Sequence, residues 1–234
     1  MDSLLRYHSE LDEFLQISGV NDTVSTRLYT DLINTQRALA LTNQYNQKTR
    51  TISSQIIQDL GCVEMECVDA SSCCGNLIPI DCKILRSKKE IPKVIEFYNS
   101  DGITRVGPIK ITSKPFSYIP LKRVPTVGNG RTNKDTIYAF YYNNRIYLYS
   151  KNPTYLVIEN VNVQGVFEDP TEVANFTTCE GKPCWTPEDK YPMMQKTWAY
   201  IRPIIENDLR KKYGIPIDDS TDTKDDRATA QTRQ

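Results

Sequence analysis

Apolar positions recur at helical spacing through the first sixty residues and again near the C-terminus. Between them lie short apolar runs of strand length. Leu4, Leu5, Leu11, Phe14 and Leu15 make a loose stripe that predicts a helix over residues 2–17, capped by Asp2 or Ser3 and ended at Gly19. Val24, Leu28, Leu32, Thr35, Leu39 and Thr42 follow at spacings of 4, 4, 3, 4 and 3, one face of a second helix starting at Asn21 or Asp22. Residues 43–51 are almost wholly polar, and apolar residues return at Ile52, Ile56, Ile57 and Leu60. Either the polar stretch breaks the helix, or one helix of roughly 35–40 residues, about 55 Å long, reaches beyond its own core.

Residues 61–81 read as irregular and cysteine-rich. Strand signals then dominate, with candidates at 83–85, 94–98, 109–112, 116–119, 136–142, 145–149, 156–163 and 166–167. The clearest pair flanks Asn143 and Asn144, a two-residue connection suited to positive φ. Both faces of that hairpin are apolar or aromatic, so it is expected to be covered on both sides, within the domain or by a neighbouring subunit.

Asp169 and Pro170 read as a cap and a first-turn proline, opening a short helix over 171–175. Thr186, Pro187, Glu188 and Asp189 repeat that signal ahead of a stripe of Met194, Trp198, Ile201, Ile205 and Leu209. Pro203 is expected to kink this helix, and Gly214 to close it. From Asp218 no apolar residue is larger than alanine, so the tail has nothing to bury. No internal repeat is visible. The order predicts a segregated α+β fold with one long N-terminal helix, a central, mainly antiparallel β region, a C-terminal helix and an extended tail. The expected divisions are an N-terminal helical region at 1–61, a β domain at 62–167, C-terminal helices at 168–217 and a polar tail at 218–234.

Composition adds little to this; charge distribution adds more. With 234 residues, 39% hydrophobic and 25% charged, the chain has ordinary globular composition. No apolar run has the roughly 18 residues that span a bilayer, so no membrane partner is expected. Met1–Arg6 lacks a basic start followed by an apolar stretch, which argues against secretion. Lys+Arg and Asp+Glu are both 29, yet residues 82–134 hold twelve bases against three acids. That block suits nucleic acid, an acidic protein surface, or a strand region with solvated lysines. A nucleic-acid reading would use Lys83, Arg86, Lys88, Lys89, Lys122 and Arg123.

Seven cysteines without a secretion signal argue for a reducing compartment and buried free thiols. Closure of a loop by Cys179 and Cys184 is the alternative. Five cysteines fall within residues 62–82, but none forms a C-x-x-C pair, so no metal site is expected. Gly128–Arg131 lacks the Lys-Ser/Thr ending of a phosphate loop, and no G-x-S-x-G elbow occurs. A cysteine–histidine pair would need His8, the only histidine. The acid pairs Glu64 with Glu66 and Glu168 with Asp169 lie in loops or at a helix start, and Asp169 reads as a cap. The sequons at Asn21 and Asn175 read as chance. No catalytic residue or cofactor is therefore assigned.

Tyrosine is the unusual component: fourteen in all, six of them within 138–155. Tyrosine suits a core, a subunit interface or a base-stacking sheet. The candidate interface residues are Tyr138, Tyr141, Tyr147, Tyr149, Lys88, Lys89, Lys122 and Arg123.

Thr26–Leu32, the strand region Phe116–Pro120, the hairpin Tyr138–Tyr149, the stretch Val157–Val173 and the helix end Leu209–Gly214 occur in an order that resembles the ring or adaptor proteins of crAss-like podoviruses. Gly165–Pro170 is the most specific phrase, and the resemblance covers most of residues 20–215. It implies a non-enzymatic head–tail connector in the virion neck, assembled in the host cytoplasm. Twelve copies would form a ring beneath the portal, next to other ring or tail proteins. Genomic DNA would pass through the channel without specific binding, and the basic block would meet an acidic portal rim.

Overall fold

The computed structural model describes residues 2–20, 24–46, 51–69, 83–97, 101–128, 130 and 132–215. The expected polar tail and Cys73, Cys74 and Cys82 lie outside them. Two helices, α1 (Leu4–Ile17) and α2 (Thr26–Tyr45), precede strands β1 (Gln58–Asp59), β2 (Val63–Asp69), β3 (Lys83–Ser87), β4 (Ile103–Gly107), β5 (Ser117–Tyr118), β6 (Tyr138–Tyr142), β7 (Arg145–Tyr149) and β8 (Asn160–Gly165). Helix α3 (Gln195–Tyr213) follows. The sheet order is β1-β8-β2-β3-β7-β6-β5, with β4 on β8. Every ladder is antiparallel except β5 with β6. This is the mainly antiparallel α+β fold the sequence order implied.

Helix α1 ends where Gly19 takes a left-handed φ of 79°. Its Ser3 cap position makes no side-chain capping bond. Tyr7, His8 and Leu11 are buried with Leu4 and Leu15, while Leu5 turns outward. Helix α2 is rotated from the expected stripe. It buries Tyr29, Ile33, Asn34, Arg37, Ala40, Leu41 and Tyr45, and it exposes Thr35 and Leu39. A search for apolar periodicity passes over Asn34 and Arg37. Both are buried because the rest of the fold answers their hydrogen bonds.

The helix stops at Tyr45, so the polar stretch does break it. Beyond it, Ser53 caps a 3₁₀ turn at Ser54–Ile56 instead of a further α-helix. β2 occupies part of the segment expected to be irregular, and β4 had no sequence candidate. Residues 109–112 were expected as a strand and form an exposed loop between β4 and β5. Helix α3 starts at Gln195, not near Thr186. Thr186 and Asp189 close a local turn, Thr186 N donating to Asp189 Oδ2 at 2.8 Å, and the chain then runs to Pro192. Proline disfavours helix in the residue before it. Tyr191 there is extended enough to donate its N–H to Asp2 O at 3.1 Å.

The β6–β7 hairpin is covered on both sides by this one chain. Asn143 and Asn144 carry φ of 46° and 54°, as a two-residue turn of this kind needs. Ala139, Ile146 and Leu148 face the main core shared with the three helices. Tyr138, Phe140, Tyr147 and Tyr149 face a second cluster with Ile84, Ile119 and Val124. The 3₁₀ segment Leu121–Thr126 supplies Val124 to that face.

His8 offers a clean pH test because it is the chain's only histidine. It is buried, with Nε2 3.2 Å from Thr30 Oγ1. Burial holds its pKa below the ordinary value, with Asp12 pulling the other way. The unfolded chain therefore takes up the proton first, so this contribution is present above about pH 6.5 and lost as pH falls through the folded value. The melting temperature of the wild type should fall more steeply than that of His8→Gln between about pH 7 and 5. Parallel profiles would remove this assignment.

Candidate assembly surface

Three of the four candidate tyrosines are core residues of the single chain. Tyr138, Tyr147 and Tyr149 are buried, and the Tyr147 ring stacks on Phe140 at 5.2 Å. The physical reason is the 3₁₀ cover over their face, which leaves no aromatic platform for a partner or a base. Tyr141 is half-buried on the opposite face, its hydroxyl donating to Asn144 Oδ1 at 2.7 Å.

The candidate cations are at the surface. Lys88, Lys89, Lys122 and Arg123 are exposed, the last two on the 3₁₀ cover. Part of the basic block is neutralised inside the sheet. Arg86 on β3 bonds Glu66 on β2 at 2.6 Å, and Lys88 beyond β3 reaches Glu64 at 3.1 Å. Lys93 pairs with Glu168 at 3.0 Å. The charge contrast along the sequence is thus partly resolved by antiparallel pairing of β2 with β3, which places the acids of residues 1–81 beside the following bases.

Cysteine chemistry differs from expectation. Cys62, just before β2, is bonded to Cys179, with Cα atoms 5.1 Å apart. Neither free thiols at both positions nor a Cys179–Cys184 bridge is found. The sequence could not choose this pair because the partners lie 117 residues apart. Cys67 and Cys184 are free. Burial, assisted by Asp59, pushes the Cys184 thiol up to about 11, so it is protonated near neutrality. His8 bonds Thr30 instead. Among the described residues no group of three metal-ligating side chains comes together, and no helix is long and apolar enough to cross a membrane.

Exposed apolar side chains lie elsewhere, at positions the sequence assigns to a helix stripe and a strand. Leu39 on α2 and Ile109 and Ile111 after β4 are each about half exposed, as is Tyr200 on α3. Two surface cavities of about 450 Å³ accompany the first three. One lies beside Leu39, lined by Asp31, Thr35, Glu168 and Asp169; the other lies beside Ile109 and Ile111. Asp169 does cap the following turn: its Oδ1 accepts from Thr171 N at 2.8 Å and from Asn34 Nδ2 at 2.8 Å. Each cavity sets one or two exposed apolar side chains among polar and charged ones.

Residues 15–227 match the family model described as phage tail ring protein 2. The chain is also 26% identical over 198 residues to ring protein 2 of Bacteroides phage crAss001, which covers 81% of this chain and 82% of that protein.

Proposed function

This chain belongs to the phage tail ring protein 2 family, and on that premise we propose that it forms one layer of the stack joining portal to tail in a crAss-like phage. It is a structural ring protein of the virion. In the proposed assembly, made in the host cytoplasm, twelve copies surround a channel that extends the portal's. Genomic DNA passes through without being gripped, other ring or tail proteins lie against it, and the protein turns over no substrate. The observation that carries this reading is the extent of the family match. It spans α2, the whole sheet and α3, so the reading rests on most of the chain and not on a single motif.

The physics of the surface supports the same reading. A closed ring needs two different patches on each copy, related by a rotation that closes. Half-exposed leucine and isoleucine beside charged cavities supply patches of that kind. Lys88, Lys89, Lys122 and Arg123 then face layers above or below, where an acidic portal rim would complement them. Electron cryo-microscopy of the neck, with this chain traced, tests the proposal. The expected density is a closed ring of this chain in contact with the portal layer. Its absence from the particle, or presence as a single copy, would remove the reading.

A further inference from the structure

We propose that neighbouring copies join head to tail, the Ile109–Lys114 loop of one seating against the Leu39 cleft of the next. This rests on the ring reading above and names the contact that closes it.

The loop is built to be presented. Ile109 is 45% and Ile111 60% exposed, with Lys110 and Lys114 exposed beside them. Two isoleucines left in water on a connecting loop are costly unless something covers them. The loop is also braced. Arg105 on β4 donates through Nη1 to Asn162 Oδ1 at 2.8 Å and through Nη2 to Ile111 O at 3.1 Å and Ser113 O at 3.3 Å. Ser113 N closes a turn onto Lys110 O at 2.9 Å, and Phe116 N bonds Val106 O at 2.8 Å at the base. A loop held this way loses little conformational freedom on docking.

The cleft has the complementary character. Leu39 stands 54% exposed at the edge of a cavity of about 450 Å³. Asp31, Glu168 and Asp169 line the same cavity. Lys93 answers Glu168, Arg27 lies 4.0 Å from Asp31 and the buried Arg37 interacts with Asp169, so the carboxylates are matched by cations, those of Asp31 and Glu168 only through exposed pairs that water screens. Apolar side chains with flanking lysines on the loop thus face an apolar side chain with flanking carboxylates.

Topology makes this contact intermolecular. Gly107, the last residue of β4, pairs with Asn162, so the loop leaves from the start of β8. Glu168 and Asp169 follow the other end of β8, just past Gly165. From Asn162 to Gly165 the strand takes three steps, about 10 Å at ~3.3 Å each, and the two sites lie past opposite ends of that stretch. A copy therefore offers each patch to a different neighbour. That is the heterologous arrangement a ring requires, whereas a two-fold dimer would bring one patch onto itself.

Native mass spectrometry and analytical ultracentrifugation of the full chain test the contact with Ile111→Asp and Leu39→Asp. Both positions are exposed, and unchanged melting curves would verify folding. A Lys110→Glu/Lys114→Glu variant repeats the loop arm if Ile111→Asp misfolds. Wild type should form rings, and each variant alone should associate at least about 30-fold more weakly, as for loss of an interface hot spot. The decisive sample is their equal mixture. Ile111→Asp keeps an intact cleft and Leu39→Asp an intact loop, so one-to-one heterodimers should form and nothing larger. Rings from either variant alone, or a mixture with no heterodimer, would overturn this contact while the ring reading stands. A wild type that stays monomeric at every concentration would count against both.

Discussion

Replacing Arg37 by alanine is expected to cost about 3–5 kcal/mol of folding stability, which for a chain of this size is a fall in melting temperature of roughly 6–20 °C. The side chain is fully buried. Its Nε donates to Pro192 O and its Nη1 to Phe167 O, both at 2.8 Å, and its guanidinium lies 5.7 Å from the Tyr191 ring centroid. These bonds join α2 to the end of β8 and to the approach to α3, segments 130 and 155 residues away. Tyr191 also donates its hydroxyl to Asn34 Oδ1 at 2.5 Å, and Asn34 donates to Asp169, so the bonds form one network. Alanine would leave a cavity of guanidinium size and two buried carbonyls without donors. Against this stands relief from burying a charge: burial presses the Arg37 pKa down, while Tyr191 and Asp169 support the cation. Two orphaned carbonyls at about 1–3 kcal/mol each, plus the lost packing, should outweigh that relief. Arg37→Met keeps most of the volume, so its smaller loss would isolate the hydrogen bonds. Urea or thermal unfolding of both variants measures the difference, and an alanine loss under about 1 kcal/mol would show that desolvation cancels the network.

The same network marks where the sequence was legible and where it was not. Asp169 and Pro170 announce a cap and a turn through purely local chemistry, and the structure has both. Arg145–Tyr149 and the Asn143–Asn144 turn were equally plain, because β-branched and aromatic alternation and positive φ are properties of adjacent residues. The stripe Trp198, Ile201, Ile205 and Leu209 was read directly from its period. What failed depended on distant partners. α2 buries an arginine because carbonyls from Phe167 and Pro192 meet it, and no local pattern carries that information. β2 looked irregular because it has few strong apolar residues; its edges are satisfied by β3 and β8. Close approach is similarly invisible: a Cβ on Gly102 would sit 2.7 Å from Val166 O, a constraint set by the pairing around β8. The aromatic run at 138–149 was correctly read as covered on both faces. Its cover, the 3₁₀ segment Leu121–Thr126, carries no helix or strand signal in the sequence, so an outside partner is an equally valid expectation from sequence.

Reducing the Cys62–Cys179 bond should lower stability by about 2–5 kcal/mol while leaving the fold in place. The size follows from the 117-residue separation of the two cysteines, which makes the closed loop long. In the chain-entropy account, a loop of about 100 residues is worth about 4.7 kcal/mol, and real bridges commonly deliver less. The fold should survive because backbone bonds already hold both sides. Cys62 N donates to Thr177 O at 3.1 Å, and Cys184 N donates to Phe176 O at 2.9 Å. The bridge should also keep its partners. Cys184 lies close by, for a Cβ on Gly61 would come within 2.7 Å of its Sγ. Exchange needs its thiolate, and a thiol pushed up to about 11 offers only about one part in a thousand of that form near pH 8. Calorimetry of the oxidised chain with and without a phosphine reductant reads the effect, and Cys62→Ser/Cys179→Ser should reproduce the reduced melting temperature. Peptide mapping after alkylation should find the 62–179 cross-link and none to Cys184. Alkylation of Cys62 and Cys179 in the air-oxidised chain, or identical melting with and without reductant, would overturn the prediction.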